Sequence, residues 1–236
     1  MLLRLIPVLF LFACTEQAVD GPRITPEPLE VTRDKETGIS AFNRVARRVA
    51  PVATRVCRQQ NPNAPRGYCN FRFGVRDNAS EPANAFLTID KSGRPVITFN
   101  IAMIRSVQND DEIAFIMSHE AGHQIRNHLA QLGQQSVDEA VDTLTRSLRT
   151  DNPVRQVQIY TTFTRQKELE ADEIGTYVAA LSGYDPLVGA KSFARFYLGP
   201  STVSTHPPSR SRLATVQRTV ERIAAQRAAG QRITPP

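Results

Sequence analysis

Two pairs of side chains at four-residue spacing, His119 with His123 and Glu168 with Asp172, restrict what this chain can fold into. Positions i and i+4 of a helix lie one turn apart on nearly the same face, so each pair presents two coordinating groups side by side. In His119-Glu120-Ala121-Gly122-His123 both histidines can offer a ring nitrogen to one ion, with Glu120 beside it. Two protein ligands are too few for a zinc ion that takes three and keeps a fourth position for water. A second helix is therefore expected against the first, with Glu168 as the third ligand. Asp172, one turn on, is placed to accept a hydrogen bond from a ligating histidine and so fix its tautomer. Glu170 lies about 200° around the helix from Glu168 and reads as a solvated or salt-bridged surface residue.

Short histidine patterns arise by chance on many polar helix faces, so the flanking residues matter. Asp110-Asp111-Glu112 is an acidic cluster that complements a helix N-terminus. Ile113, Ala114, Phe115, Ile116 and Met117 follow as an apolar run, which places the polar residues after them inside a buried helix. Gly122 costs about 1 kcal/mol relative to Ala in such a helix, and its presence points to close approach of another backbone or of a substrate.

Phe86-Leu87-Thr88-Ile89 and Val96-Ile97-Thr98-Phe99 are short β-branched and aromatic runs around Asp90-Lys91-Ser92-Gly93-Arg94-Pro95. They read as a hairpin whose edge strand can align an extended peptide. From Gln131 to Thr164 the chain is polar, with no stretch of the roughly 20 apolar residues that a membrane span needs. Val137, Val141, Leu144 and Leu148 recur there at helical spacing, as in an amphipathic helix packed on the core; a lid over the cleft is the second reading.

Taken in order, Asn84-Ala85-Phe86, Asp110-Asp111-Glu112-Ile113-Ala114, His119 to His123, Asn127-His128 and Arg165 to Gly175 make the chain resemble the HtpX/Oma-type zinc metalloendopeptidases, relatives of the CAAX prenyl proteases. Thr205-His206-Pro207-Pro208, followed by Arg212-Leu213, resembles that family's Thr-His-Pro loop. The resemblance runs from about residue 40 to 225. It implies an α+β, mainly α, zincin-like metalloprotease domain with a small β-sheet or hairpin beside the active-site helix. It also implies one Zn2+ per chain, held by His119, His123 and Glu168, and polypeptide substrates in extended conformation. Glu120 is then the general base for the attacking water, and His206 is the candidate donor to the oxyanion; a plain turn histidine before two prolines is its other reading. Many relatives carry a Gly-Gly turn between these two strands where this chain has Asp90-Lys91-Ser92-Gly93-Arg94-Pro95, which leaves room for a different substrate preference.

Residues 1–13 hold one positive charge, Arg4, and an apolar stretch from Leu5 to Phe12, the layout of a removable signal peptide. Leu11-Phe12-Ala13-Cys14 resembles a bacterial lipobox, with Phe12 an imperfect match. A lipidated Cys14 would anchor the protein to a membrane, and with Thr15 in place of aspartate the usual Gram-negative sorting pattern would place it in the periplasm, anchored to the outer membrane. An ordinary secretory peptide cut nearby is the alternative. Cys57 and Cys69 are the other two cysteines, expected to bridge in an oxidising compartment around the turn-rich Asn61, Pro62, Asn63, Pro65 and Gly67.

The expected layout is a signal peptide over 1–13, a tether over 14–39, one metalloprotease domain over 40–225 and a tail over 226–236. The net charge of +6 includes Arg210, Arg212, Arg218, Arg222, Arg227 and Arg232 near the C-terminus. These are expected on the solvated face of a helix whose Leu213, Val216, Val220 and Ile223 turn inward. No aromatic-interleaved motif accompanies them, so no nucleic-acid partner is expected. The function expected is proteolysis of misfolded or unassembled envelope proteins; the alternative is a chaperone-like binding factor in envelope assembly with gated or incidental cleavage.

Overall fold

The computed structural model describes residues 30–77, 82–131, 163–195 and 210–236. Helix α1 spans Lys35–Gln60, opened by Asp34, whose carboxylate accepts from the Thr37 amide at 2.9 Å. It begins ahead of residue 40, the expected domain boundary, and the segment before it is tied down by the Thr32 amide donating to the Arg105 carbonyl at 2.8 Å. Phe42, Val45, Val49, Val52 and Val56 recur every three or four residues on α1 and form its buried face. Phe42 meets Phe99 edge to face, with ring centroids 5.2 Å apart.

Strands β1 (Arg72–Arg76), β2 (Ala85–Ile89) and β3 (Pro95–Asn100) form one sheet in the order β1-β3-β2. The β2–β3 pair is the expected hairpin, antiparallel with Leu87 opposite Ile97. Its turn closes on Asp90, whose carboxylate accepts from the amides of Ser92 and Arg94 at 2.8 and 3.0 Å. Strand β1 adds in parallel to the other side of β3, leaving β2 at the opposite edge of the sheet, against the helix Asp110–Ile125.

Asn100 ends β3 and caps helix α2 (Ile101–Ser106) through the Met103 amide. Helix α3 (Asp110–Ile125) is capped by Asn109 and carries the three expected acidic residues in its first turn. Helix α4 covers Arg165–Leu181, the short helices α5 and α6 cover Pro186–Gly189 and Ser192–Arg195, and α7 covers Arg210–Ala228. The main core joins α1 and the sheet to Ile113, Met117 and Ala121 of α3 and Ile174 and Val178 of α4. Phe115, Ala190 and Val216 form a second cluster that attaches α7. The fold is mostly helical with a small sheet, as the resemblance implied. Among the described residues no helix is long and apolar enough to cross a membrane.

Cys57 on α1 and Cys69, which precedes β1, are joined as a disulfide, both buried. Val137, Val141, Leu144 and Leu148, Cys14 and the leader, and the loop of His206 lie outside the described residues.

Candidate metal centre

α3 and α4 pack against each other more extensively than any other pair of described helices. Two glycines allow it. A methyl group on Gly122 would lie 2.5 Å from the Ala171 carbonyl oxygen, and one on Gly175 would lie 2.9 Å from the His119 backbone nitrogen. Each helix thus presses bare backbone onto the other beside the residues that matter, the close approach expected at Gly122.

This contact brings His119 and His123 of α3 to Glu168 of α4 as a buried group of three. The two histidine Nε2 atoms are 3.0 Å apart. His119 Nε2 is 3.5 Å from Glu168 Oε2, and His123 Nε2 is 3.4 Å from Glu168 Oε1. Two ligand atoms about 2.0–2.1 Å from a tetrahedral ion stand roughly 3.3 Å apart, so these spacings match three corners of a zinc tetrahedron. Two imidazole lone pairs facing each other at 3.0 Å repel unless a cation lies between them. The donor set, two imidazoles and one carboxylate, is one that zinc accepts, and the residues fit the metal.

Each histidine is oriented through its other nitrogen. His119 Nδ1 donates to Asp172 Oδ1 at 2.8 Å, the partner expected from the Glu168–Asp172 spacing. His123 Nδ1 lies 2.9 Å from His128 Nδ1, and His128 Nε2 lies 3.1 Å from Glu170 Oε2. Glu170 therefore stays off the ligand group, as its position on α4 required, yet is tied to it by one intervening ring. Phe163, just ahead of α4, stacks on His123 with centroids 3.9 Å apart. Burial holds His128 below its ordinary range, partly offset by Glu170, so the ring carries no charge at neutral pH.

Arg212 occupies a place the sequence reading did not give it. Rather than facing solvent, it is buried, with Nε and an amino group donating to the two oxygens of Asp172, both at 2.7 Å. Another amino group stands 2.8 Å from Glu168 Oε2, and the guanidinium lies 4.3 Å over the Phe193 ring. Burial acts to raise the Asp172 carboxyl, but Arg212 and then His119 outweigh it and hold the group ionised below the usual carboxylate range. The field of Arg212 also reaches Glu120, itself buried on α3. The other arginines singled out on α7, Arg210, Arg218, Arg222 and Arg227, are exposed, with Val216 and Ile223 buried and Leu213 and Val220 half-buried. Arg165 donates to the Ser211 hydroxyl at 3.0 Å and so ties α4 to α7.

The profile of peptidase family M48 matches residues 42–220. The chain is 29% identical over 119 residues to the mitochondrial metalloendopeptidase OMA1 of Arabidopsis thaliana, covering 47% of this chain and 24% of that protein. It is 30% identical over 172 residues to the beta-barrel assembly-enhancing protease of Escherichia coli strain K12, covering 61% of this chain and 33% of that protein. The chain thus spans about a quarter to a third of the length of these curated relatives.

Proposed function

The chain belongs to peptidase family M48, and on that premise we propose that it is a zinc-dependent endopeptidase of the bacterial cell envelope, acting on misfolded or unassembled proteins there. The observation that carries the reading is the buried convergence of His119, His123 and Glu168, with Glu120 next to the first ligand in sequence. His119, His123 and Glu168 would hold the metal, the histidines through Nε2 and Glu168 through its carboxylate. Zinc, when bound, supplies a Lewis acid that polarises a peptide carbonyl and brings the pKa of a water down toward 7. Glu120 accepts the proton of the attacking water and delivers it to the leaving amine. Asp172, held ionised by Arg212, keeps His119 in the tautomer that leaves Nε2 for the metal. His206 is the proposed donor to the developing oxyanion.

The substrate is proposed to be an extended polypeptide added along the edge of β2, which no described strand covers, where main-chain hydrogen bonds would hold it beside α3. An envelope location rests on the leader-like residues 1–13 and on a disulfide of the kind that persists in oxidising compartments. Cys14 is the proposed lipid anchor, with the outer membrane as its destination.

The test pairs metal analysis with digestion of an unfolded β-barrel protein by the wild-type chain and by Glu120→Gln. Equal zinc content with cleavage by the wild type alone supports the mechanism. Cleavage by both forms removes Glu120 from the chemistry. Absence of cleavage by the wild type, with full envelope function of Glu120→Gln in cells, establishes the binding-factor alternative instead.

A further inference from the structure

His128 is one of four histidines in the chain, fully buried, and unused by the mechanism above. Helix α3 ends at Ile125, and Asn127 then takes φ 58°, a left-handed conformation that asparagine tolerates better than most residues. The turn folds the chain back so that His128, five positions after His123, lies against the ring of that ligand. From α4, Glu170 meets the far nitrogen of His128, and Gln166 Nε2 donates to the other Glu170 oxygen at 2.8 Å.

Resting on the reading of His123 as a ligand, we infer that His128 and Glu170 are positioning residues, a directional relay that fixes the tautomer and ring angle of His123. The Nδ1···Nδ1 contact of 2.9 Å needs one proton between two rings. The carboxylate decides which ring carries it. If His128 held the proton on Nδ1 as a neutral ring, its Nε2 lone pair would face the Glu170 oxygen 3.1 Å away, an electrostatic clash. With the proton on Nε2, His128 donates to Glu170 and presents an Nδ1 lone pair to His123. His123 must then carry its proton on Nδ1, which leaves the Nε2 lone pair pointing at His119 and Glu168. Phe163 blocks rotation of the same ring from its face. The two ligands thus reach the same protonation pattern by different routes, His119 through Asp172 directly and His123 through one histidine.

The test uses the full chain with zinc alone as probe, its Kd read by competition with a chromophoric chelator. His128→Phe keeps the bulk and removes the acceptor, and it should weaken zinc binding about 10- to 100-fold, the usual effect of losing such a partner. His128→Asn, which returns an oxygen near the position of Nδ1, should recover most of that loss. Glu170→Leu, half-exposed and least disruptive to folding, should weaken binding about 10-fold and carries the test if His128→Phe does not fold. Nitrogen-15 NMR of the wild-type histidines should show His128 protonated on Nε2 and His123 on Nδ1. Unchanged Kd values in His128→Phe and Glu170→Leu, or a proton on His128 Nδ1, overturn the relay. A wild-type chain that binds no zinc overturns the metal reading instead, and the NMR arm still judges the relay in the metal-free protein.

Discussion

The bare α-carbon of Gly122 faces the Ala171 carbonyl so closely that any side chain there would penetrate the α4 backbone. On an exposed helix a glycine-to-alanine change stabilises by about 1 kcal/mol. Here the sign should reverse, because backbone cannot move aside as a flexible side chain does. Gly122→Ala is expected to cost about 1–3 kcal/mol as overpacking, to part α3 from α4, and to weaken zinc binding. Gly175→Ala should behave alike, since it meets the backbone of His119. Urea midpoints and zinc titrations on both variants check this; a raised midpoint in either would contradict it.

Arg212 pairs with both Glu168 and Asp172, and all three side chains are almost fully buried. Removing one partner of such a network leaves uncompensated buried charge. Arg212→Met should destabilise the metal-free protein by about 3–5 kcal/mol. Arg212→Lys should restore only part, because an ammonium lacks the planar fork that spans both Asp172 oxygens. The double variant Arg212→Met with Asp172→Asn should cost clearly less than the sum of the two single changes, as coupled residues do. Additive losses in a denaturation cycle would show that the two side chains act independently.

The histidine pair on α3, the carboxylate pair on α4 and the β2–β3 hairpin were legible because each is local, set by a helical period or by turn chemistry over a few residues. Arg212 was read with the solvated arginines for lack of a long-range criterion. A signal did exist: Arg212 lies about 40° from Val216 and 20° from Ile223 around a helix, on the buried stripe, whereas Arg218 and Arg222 fall far from it. An arginine on a buried stripe demands carboxylate partners, but the sequence does not say that Glu168 and Asp172 supply them. Strand β1 was not anticipated either: Phe71, Phe73 and Val75 do alternate with Arg72, Gly74 and Arg76, a short strand signal that went unread, and its parallel pairing with β3 is non-local. His128 was visible only as a neighbour of Asn127, because its partner Glu170 sits on another helix.

The Cys57–Cys69 bridge closes a short loop between α1 and β1, with a sequence separation of 12. In the chain-entropy account such a loop contributes about 3 kcal/mol by restricting the unfolded chain. Replacing both cysteines with alanine should lower stability by about that amount while leaving zinc stoichiometry at saturating metal unchanged, since neither cysteine belongs to the group that could hold the ion. Guanidinium unfolding of the double variant against the oxidised wild type measures the first, and metal analysis the second. Lost zinc in a folded variant would mean that the bridge also sets the position of α3.

Acid should loosen the hairpin through Asp90. The Arg94 amide, aided by the Ser92 amide and the Arg94 guanidinium and opposed by partial burial, holds this carboxyl below its ordinary value of 3.8. A folded-state pKa below the unfolded one means that the unfolded chain binds the proton more readily, so acid favours unfolding. The contribution of Asp90 is fully present above the unfolded value and is lost as pH falls from about 4 through the lower folded value. Asp90→Asn can still accept the turn amides but cannot titrate. The stability gap between wild type and Asp90→Asn should therefore be constant from pH 7 to 5 and close progressively below pH 4. Because β2 is the strand proposed to receive substrate, amide exchange at Phe86 and Thr88, which share the hydrogen-bonded register of Asp90 with Arg94, should rise in the wild type over the same interval, relative to the variant. A gap that stays level down to pH 2.5 would show that the Asp90 charge does not hold the turn.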